Sequence, residues 1–441
     1  MSLQIGQQVN AELLRQCLTV RQRLGEGTQG EVYLVDGPGG EQVIKWYKPP
    51  QATDEQRAAI MLLVQRGPPQ GDAGRRFVWP EDLVTVPGNR QFGYLMRRID
   101  TKRFCELGYV WAHPKVQPNF ATLCRICHEM CRSYRALHRT GYCYRDISAG
   151  NLLFDPQSGE ILICDNDNIG VNRQSKCQVW GTIEYMAPEL IRGEAAPSTE
   201  TDLHSLAVFL FLLWVWHHPM HGKMEYEIRA WDLPAKKKVY GTTPVFVFHP
   251  TDNRNELPND PDYATARKRW NYCPGVLQEY FLEAFMTGLV NPASRVSESR
   301  WESLFLQLAD NIIPCPACQA HNLWDPASPA LTCWHCRRPV ALPPKLMVVH
   351  PGGKNYLLLR DAAKILRRHV DPYAPDGETV IGEVVRNPNN PQVWGIRNLT
   401  ASPWSAVMPD GTAKDIPPQR AVPINPGIKI GFGKSSAEIS P

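Results

Sequence analysis

The chain has no apolar run long enough to cross a bilayer. Its longest, Leu206 to Trp216, falls well short of the ~20 residues a spanning helix requires. No segment with a charged start and an apolar core opens it either, so the expectation is a cytoplasmic protein that is not secreted and has no membrane partner. Net charge is also small, 48 Lys and Arg against 44 Asp and Glu or +4 overall, which does not point to nucleic acid as a partner. The 13 cysteines would suit a disulfide framework only in a small secreted domain. In a chain of 441 residues without a leader they read as thiols and metal ligands. What remains is the composition of a globular protein, 43% hydrophobic and 21% charged, with length for about three domains.

The stretch that organises the rest is Tyr144-Arg145-Asp146-Ile147-Ser148-Ala149-Gly150-Asn151, followed by Cys164-Asp165-Asn166-Asp167. An Asp and an Asn five positions apart, with a second Asp after the apolar run Ile161-Leu162-Ile163, is what phosphoryl transfer needs. One carboxylate meets the incoming hydroxyl, and the amide and second carboxylate hold Mg²⁺ on the phosphates. This stretch resembles the HRD…N catalytic loop of protein kinases, and Asp165 resembles the Asp of their DFG motif. LGEGTQGEVYLV upstream and GTIEYMAPE downstream match two further kinase signatures in the right order.

Leu24 to Tyr33 reads as strand, turn, strand, and glycines at 25, 27 and 30 let backbone N–H groups approach phosphates without Cβ interference. Alone, that pattern is also a hairpin turn. Val43-Ile44-Lys45, an apolar strand ending in Lys, follows where kinases place the Lys that pairs with the α- and β-phosphates. Thr53 to Gln56 opens a helix with a capping-box pattern, and Ile60, Leu63 and Val64 supply its apolar face. Kinases hold the Lys with a Glu on this helix. Glu55 is the only Glu between Lys45 and Glu81, so it is the expected partner, against the plainer reading of a first-turn Glu favoured by the helix dipole. The resemblance implies an ATP site lined by Leu24, Gly25, Gly27, Gly30, Val32, Lys45, Glu55, Met96, Arg98, Asn151 and Asp165. Met96 stands at the back of the pocket, and residues 97–99 form the hinge.

Residues 119–138 read as an amphipathic helix whose Cys124, Cys127 and Cys131 form an apolar stripe. Core packing is preferred there over a metal site with His128. Between Asp165 and Glu189 the acceptors weighed for loop phosphorylation, with Arg145 to grip the phosphate, are Ser175 and Thr182. Thr182 belongs to the structural GT step. Glu189 of the APE motif is expected to pair with Arg295, and Asp202 to brace the catalytic-loop backbone from an all-round apolar helix. The basic runs 236–238 and 267–269 read as solvated faces.

Cys315-x-x-Cys318 and Cys333-x-x-Cys336, fourteen residues apart, set four thiolates around Zn²⁺ in a closed structural site; such ribbons bind nucleic acid or protein. From Lys345 on, alternating segments with regular turn residues predict a small β-sandwich. This region resembles forkhead-associated domains, which read phosphothreonine. It has Glu383 where that family has Arg and lacks the following Ser-x-x-His.

The expected architecture is α+β: an N-terminal segment (1–16), a bilobal kinase domain (17–312, lobes 17–98 and 99–312), a zinc ribbon (313–343) and a β-rich domain (344–441). That arrangement, with DND in place of DFG, resembles kinases of bacterial tellurite-resistance and stress operons. The resemblance implies Ser/Thr phosphorylation of a protein substrate with ATP and Mg²⁺ or Mn²⁺, alongside a von Willebrand factor A protein and a PP2C-type phosphatase. Asp146 is then the base, Lys45 and the glycine loop place the phosphates, and Asn151 and Asp165 bind the metal. Asp167 is read as a further metal carboxylate, against the alternative that it only hydrogen-bonds its own turn. Ser148 stands where Ser/Thr kinases have Lys. The rival readings are a nucleotide-binding pseudokinase scaffold and a zinc-ribbon nucleic-acid binder.

Overall fold

The computed structural model describes residues 2–38, 40–174 and 181–441, so Ser175 lies outside the described residues. The chain forms two compact units, Met1–Phe305 and Leu306–Pro441. In the first, six antiparallel strands close a barrel: β1 (Gln8–Ala11), β2 (Gln16–Glu26), β3 (Gly30–Gly37), β4 (Gly40–Tyr47), β5 (Asp82–Thr85) and β6 (Phe92–Arg97). Their order is β1-β2-β3-β4-β6-β5, with β1 returning to β5. Residues 1–16 were expected as a separate segment, but the described residues 2–16 belong with the barrel. Strand alternation sends Val9, Leu18, Val35, Ile44, Trp46 and Leu95 into its core. The same alternation turns Val43, Lys45 and Tyr47 to the opposite face, where the register sets Lys45 beside Val32 and Tyr94, and Val43 beside Met96. Helix α1 (Asp54–Arg66) follows β4, and its first turn is closed by Thr53 Oγ1 accepting from Gln56 N.

The helical part of this unit is built on two long helices. Helix α2 (Phe120–His138) starts at Asn119, whose side chain caps Thr122 N, and buries Cys124, Cys127 and Cys131 with Leu123, Ile126, Met130, Tyr134 and Leu137. The cysteines are core residues, and burial pushes the Cys127 and Cys131 thiols well up. Helix α3 (Thr199–Val215) starts in a capping box of Ser198 and Thr201 and is buried on nearly every side, which explains its lack of any polar stripe. Arg295 grips Glu189 through two bonds of 2.7 and 2.8 Å, both side chains buried.

The second unit combines the two CxxC loops with two antiparallel sheets. Strands Lys345–His350, Gly353–Leu358, Trp404–Val407, Ala413–Ile416, Lys429–Gly431 and Ser436–Ser440 form one sheet. Lys364–Leu366, Val380–Asn387, Asn390–Asn398 and Ala421–Pro423 form the other. Leu346, Val348, Ile381, Val384, Ile396, Trp404 and Ile430 pack in one cluster that both sheets share. Residues 313–343, expected as a module apart, bury Trp324 and Val340 with Leu358 of the first sheet, and Tyr356 packs against that cluster. A ribbon this short has too few apolar side chains to make a core alone.

Candidate active site

Lys45 reaches the site because β4 points it away from the barrel core. The side chain is buried, and its ammonium meets Asp167 Oδ1 and Oδ2, each at 3.0 Å, Gln29 Oε1 at 3.1 Å and Asp165 Oδ1 at 3.4 Å. Burial disfavours the ammonium, but the charges of Asp167 and Asp165 outweigh it and raise the Lys45 pKa. Around this lysine the glycine loop is open. A side chain at Gly25 would meet nothing, and one at Gly27 only Gly30 O at 3.9 Å. Gly27 N donates to Gly30 O at 2.8 Å, so this amide closes the turn. Gly30 serves a different end: a Cβ there would lie 2.6 Å from Trp46 O, so it is needed for the pairing of β3 with β4.

The catalytic loop is held from below. Asp202, in the first turn of α3, accepts from the backbone N–H of Tyr144 and of Arg145, the latter at 3.0 Å, and His138 Nε2 lies 2.9 Å from the same carboxylate. Tyr144, where HRD has its His, donates its hydroxyl to Cys164 O and so ties the loop to the residue before Asp165. Asp146 is oriented through both oxygens. Oδ1 accepts from Thr182 N and Oγ1, each at 2.9 Å, and Oδ2 accepts from Asn151 Nδ2 at 2.8 Å. Gly181 allows this approach: its φ is +80°, and a Cβ would stand 2.7 Å from Arg145 O.

Asp165 sits in the left-handed region (φ 49°, ψ 44°) and leads into one 3₁₀ turn, Asn166–Asn168. Its side chain is 45% exposed. Burial of the surrounding site raises its pKa, as do the charges of Asp167 and Asp146, while Lys45 opposes the rise. Three carboxylates against one ammonium leave a surplus of negative charge that a cation would neutralise. Asn151 spends Nδ2 on Asp146, so its Oδ1 is the ligand atom left to it. Asp165 and Asn151 thus suit Mg²⁺.

Two expectations about this site need correction. Asp167 does not suit a metal: its side chain is 0% exposed and both oxygens are engaged. Besides Lys45, Tyr94 donates to Oδ1 at 3.1 Å and Tyr47 to Oδ2 at 2.6 Å. Burial and the Asp167 charge raise both tyrosine pKa values well above the ordinary phenol. Glu55 does not hold Lys45 either. It lies exposed on the first turn of α1, and the inward residue is Gln56, whose Nε2 donates to Tyr47 Oη at 3.0 Å and reaches Asp167 O at 3.5 Å. Of the remaining expected ATP ligands, Leu24 is exposed, Val32 and Met96 are half-buried on the Lys45 face, and the Arg98 side chain pairs with Glu41. Tyr47 and Tyr94 went unmarked in the sequence, although two-residue alternation from Lys45 points Tyr47 to the same face.

The four cysteines of the second unit come together as the spacing requires. Cys315 and Cys336 sulfurs lie 3.6 Å apart, as do those of Cys318 and Cys333, and all four sit within 4.8 Å of one another. Zn–S bonds of ~2.3 Å in a tetrahedron set sulfur edges near ~3.8 Å, so the arrangement can take such an ion. Burial works against a charge on Cys333, but the N–H groups of Cys336 and His335 outweigh it and bring its pKa down to about 6.

Residues 110–263 match the family model for the protein kinase domain. The chain carries a protein kinase domain. It is similar to serine/threonine-protein kinase sck2 of Schizosaccharomyces pombe, 29% identical over 209 residues, 43% of this chain and 29% of that protein. It is also similar to serine/threonine-protein kinase PkaB of Streptomyces coelicolor, 26% identical over 224 residues, 46% of this chain and 50% of that protein. The chain thus spans half or less of the length of these two relatives. Among solved structures it is similar to a double mutant of the Mycobacterium tuberculosis PknI kinase domain, at 20% identity and a TM-score of 0.47, covering 70% of this chain and all of that one.

Proposed function

We propose that the protein is an ATP-dependent Ser/Thr kinase that transfers the γ-phosphoryl group to a protein partner. The observation that carries this reading is the convergence on one site of Lys45, Asp146, Asn151 and Asp165 from three separate segments of the sequence, β4, the catalytic loop and the turn after residues 161–163. Asp146, aimed by Thr182 and Asn151, orients the acceptor hydroxyl and takes its proton. Lys45 and the glycine loop position the phosphates, with Leu24, Val32 and Met96 against the base. Asp165 and Asn151 hold Mg²⁺, which supplies charge neutralisation on the phosphates. A pseudokinase scaffold has no need for this set of oriented groups. The order of kinase domain, paired CxxC loops and β-rich region supports placing the chain with kinases of bacterial tellurite-resistance and stress operons. In that setting Zn²⁺ fills the cysteine site, the C-terminal region is forkhead-associated-like, and a von Willebrand factor A protein and a PP2C-type phosphatase are the candidate partners. No helix among the described residues is long and apolar enough to cross a membrane, and a cytoplasmic location belongs to the same reading.

The test is transfer of radiolabelled phosphate from ATP with Mg²⁺ or Mn²⁺ to those candidate proteins. Asp146→Asn is expected to lower transfer by at least ~100-fold while nucleotide affinity stays within about threefold of wild type. Wild-type transfer no greater than that of the variant, with partners supplied, would return the chain to the scaffold reading.

A further inference from the structure

In the kinase arrangement the nucleotide-binding lysine is held by a glutamate from the helix after its strand. Here that helix is α1, and it presents Gln56 to the site and leaves Glu55 in solvent. The carboxylate that meets Lys45 comes instead from the turn that carries Asp165, 122 residues further along the chain. We propose that Asp167 is the positioning residue for Lys45, so that the clamp on the phosphate-binding lysine is supplied by the metal-binding turn and not by helix α1.

Four observations carry this. Both Asp167 oxygens lie 3.0 Å from Lys45 Nζ, the geometry of a charge-assisted pair, whereas Asp165 stands at 3.4 Å with a half-exposed side chain left for a cation. The pair is dry: Lys45 and Asp167 side chains are 7% and 0% exposed. Its remaining acceptor capacity is filled by the Tyr47 and Tyr94 hydroxyls, at 2.6 and 3.1 Å, so the carboxylate has no hydrogen-bonding deficit for a metal to satisfy. Finally, the turn is built to deliver it. Asp165 in the left-handed region and the 3₁₀ bonds Asn168 N to Asp165 O (3.2 Å) and Ile169 N to Asn166 O (3.1 Å) fix the backbone on either side of Asp167. Asn166 Nδ2 anchors the same turn to Ile163 O at 2.9 Å, and Asn168 Oδ1 accepts from Gln29 of the glycine loop at 3.4 Å. The departure of DND from DFG is then one device: the Gly position becomes the acid, and the Phe position becomes its polar anchor.

The catalytic meaning of the pair rests on the kinase reading above; the pair itself does not. Kinetics and a melting cycle therefore test them separately. Asp167→Asn keeps the shape and removes the charge, and is expected to lower kcat/KM for ATP by ~100-fold through misplacement of Lys45. The Mg²⁺ concentration for half-maximal rate is expected to stay within about twofold of wild type, whereas Asp165→Asn should raise it. Thermal unfolding of wild type, Lys45→Met, Asp167→Asn and the double variant forms a cycle. If the two groups pair, Lys45→Met strands a buried carboxylate, and adding Asp167→Asn to it is expected to raise Tm. A marked rise in Mg²⁺ requirement for Asp167→Asn, with the rate restored at saturating metal, would overturn the proposal in favour of a metal role. So would a double variant that melts at or below Lys45→Met, or a loss in Glu55→Gln as large as that in Asp167→Asn. If wild type transfers no phosphate at all, the kinase reading fails and the melting cycle still decides the pairing.

Discussion

His138 is a buried cation between two carboxylates, Asp202 at 2.9 Å and Glu298, directly under the catalytic loop. Burial disfavours its charge, but the bonds to Asp202 and Glu298 prevail and lift its pKa from the usual 6.5 to about 9. Because the folded value is raised, the stabilisation is complete below pH 6.5, declines as pH climbs toward 9, and is absent above that. A shift of this size corresponds to roughly 3 kcal/mol. Wild type is therefore expected to lose Tm between pH 6.5 and 9, and His138→Gln to flatten that fall; an equally steep fall in the variant would assign the slope to other groups. Residues of this kind divide by how local their signal is. Asp146, Asn151 and Asp165 stood out in the sequence because phosphoryl transfer would need them within a short, covalently set spacing. Asp167 was legible as an anomaly but not in its role, because its partners Lys45, Tyr47 and Tyr94 are set by strand register far away in sequence. Glu55 was misread for the complementary reason: helix phase, not residue type, decides which side chain of the first turn faces inward.

Among the elements, the paired CxxC loops were the most legible, since two knuckles at that spacing leave few ways to satisfy four thiols. With Zn²⁺ bound, elemental analysis should return one zinc per chain, and Cys318→Ser should release it and open residues 313–343 to proteolysis, because such a site contributes much of a small module's folding energy. Iron in the protein, or no metal after purification without chelator, would sink this. Less legible was what the ribbon leans on. Trp324 and Val340 find Leu358 beyond residue 343, where the ribbon was expected to end, a contact that local composition does not encode. Helix α3 was plain from its unbroken apolar run, whereas the cysteine stripe of α2 required weighing free thiols as small hydrophobes against ligands, and burial settles that in favour of the core.

At the scale of the whole molecule, the kinase domain was legible from the order of its motifs, but its start was not. Residues 1–16 hold no motif, yet Leu3, Val9 and Ala11 lie in the barrel core, and the backbone amides of Leu13 and Leu14 bind the buried Asp82 carboxylate at 2.8 to 3.1 Å. Closure of the barrel through β1 has a practical consequence for anyone trimming the protein to its recognisable motifs. A barrel has no free rim, and removing its first strand creates two at once, along β2 and along β5. Each would offer unpaired amides and carbonyls to a neighbouring molecule, and Asp82 would be stranded as an uncompensated charge. A fragment beginning at residue 17 is thus expected to elute as soluble aggregates on size-exclusion chromatography where the full chain is monodisperse; a monodisperse fragment with unchanged Tm would show that the strand is dispensable. In expression trials, the border suggested by motifs would be the one that fails.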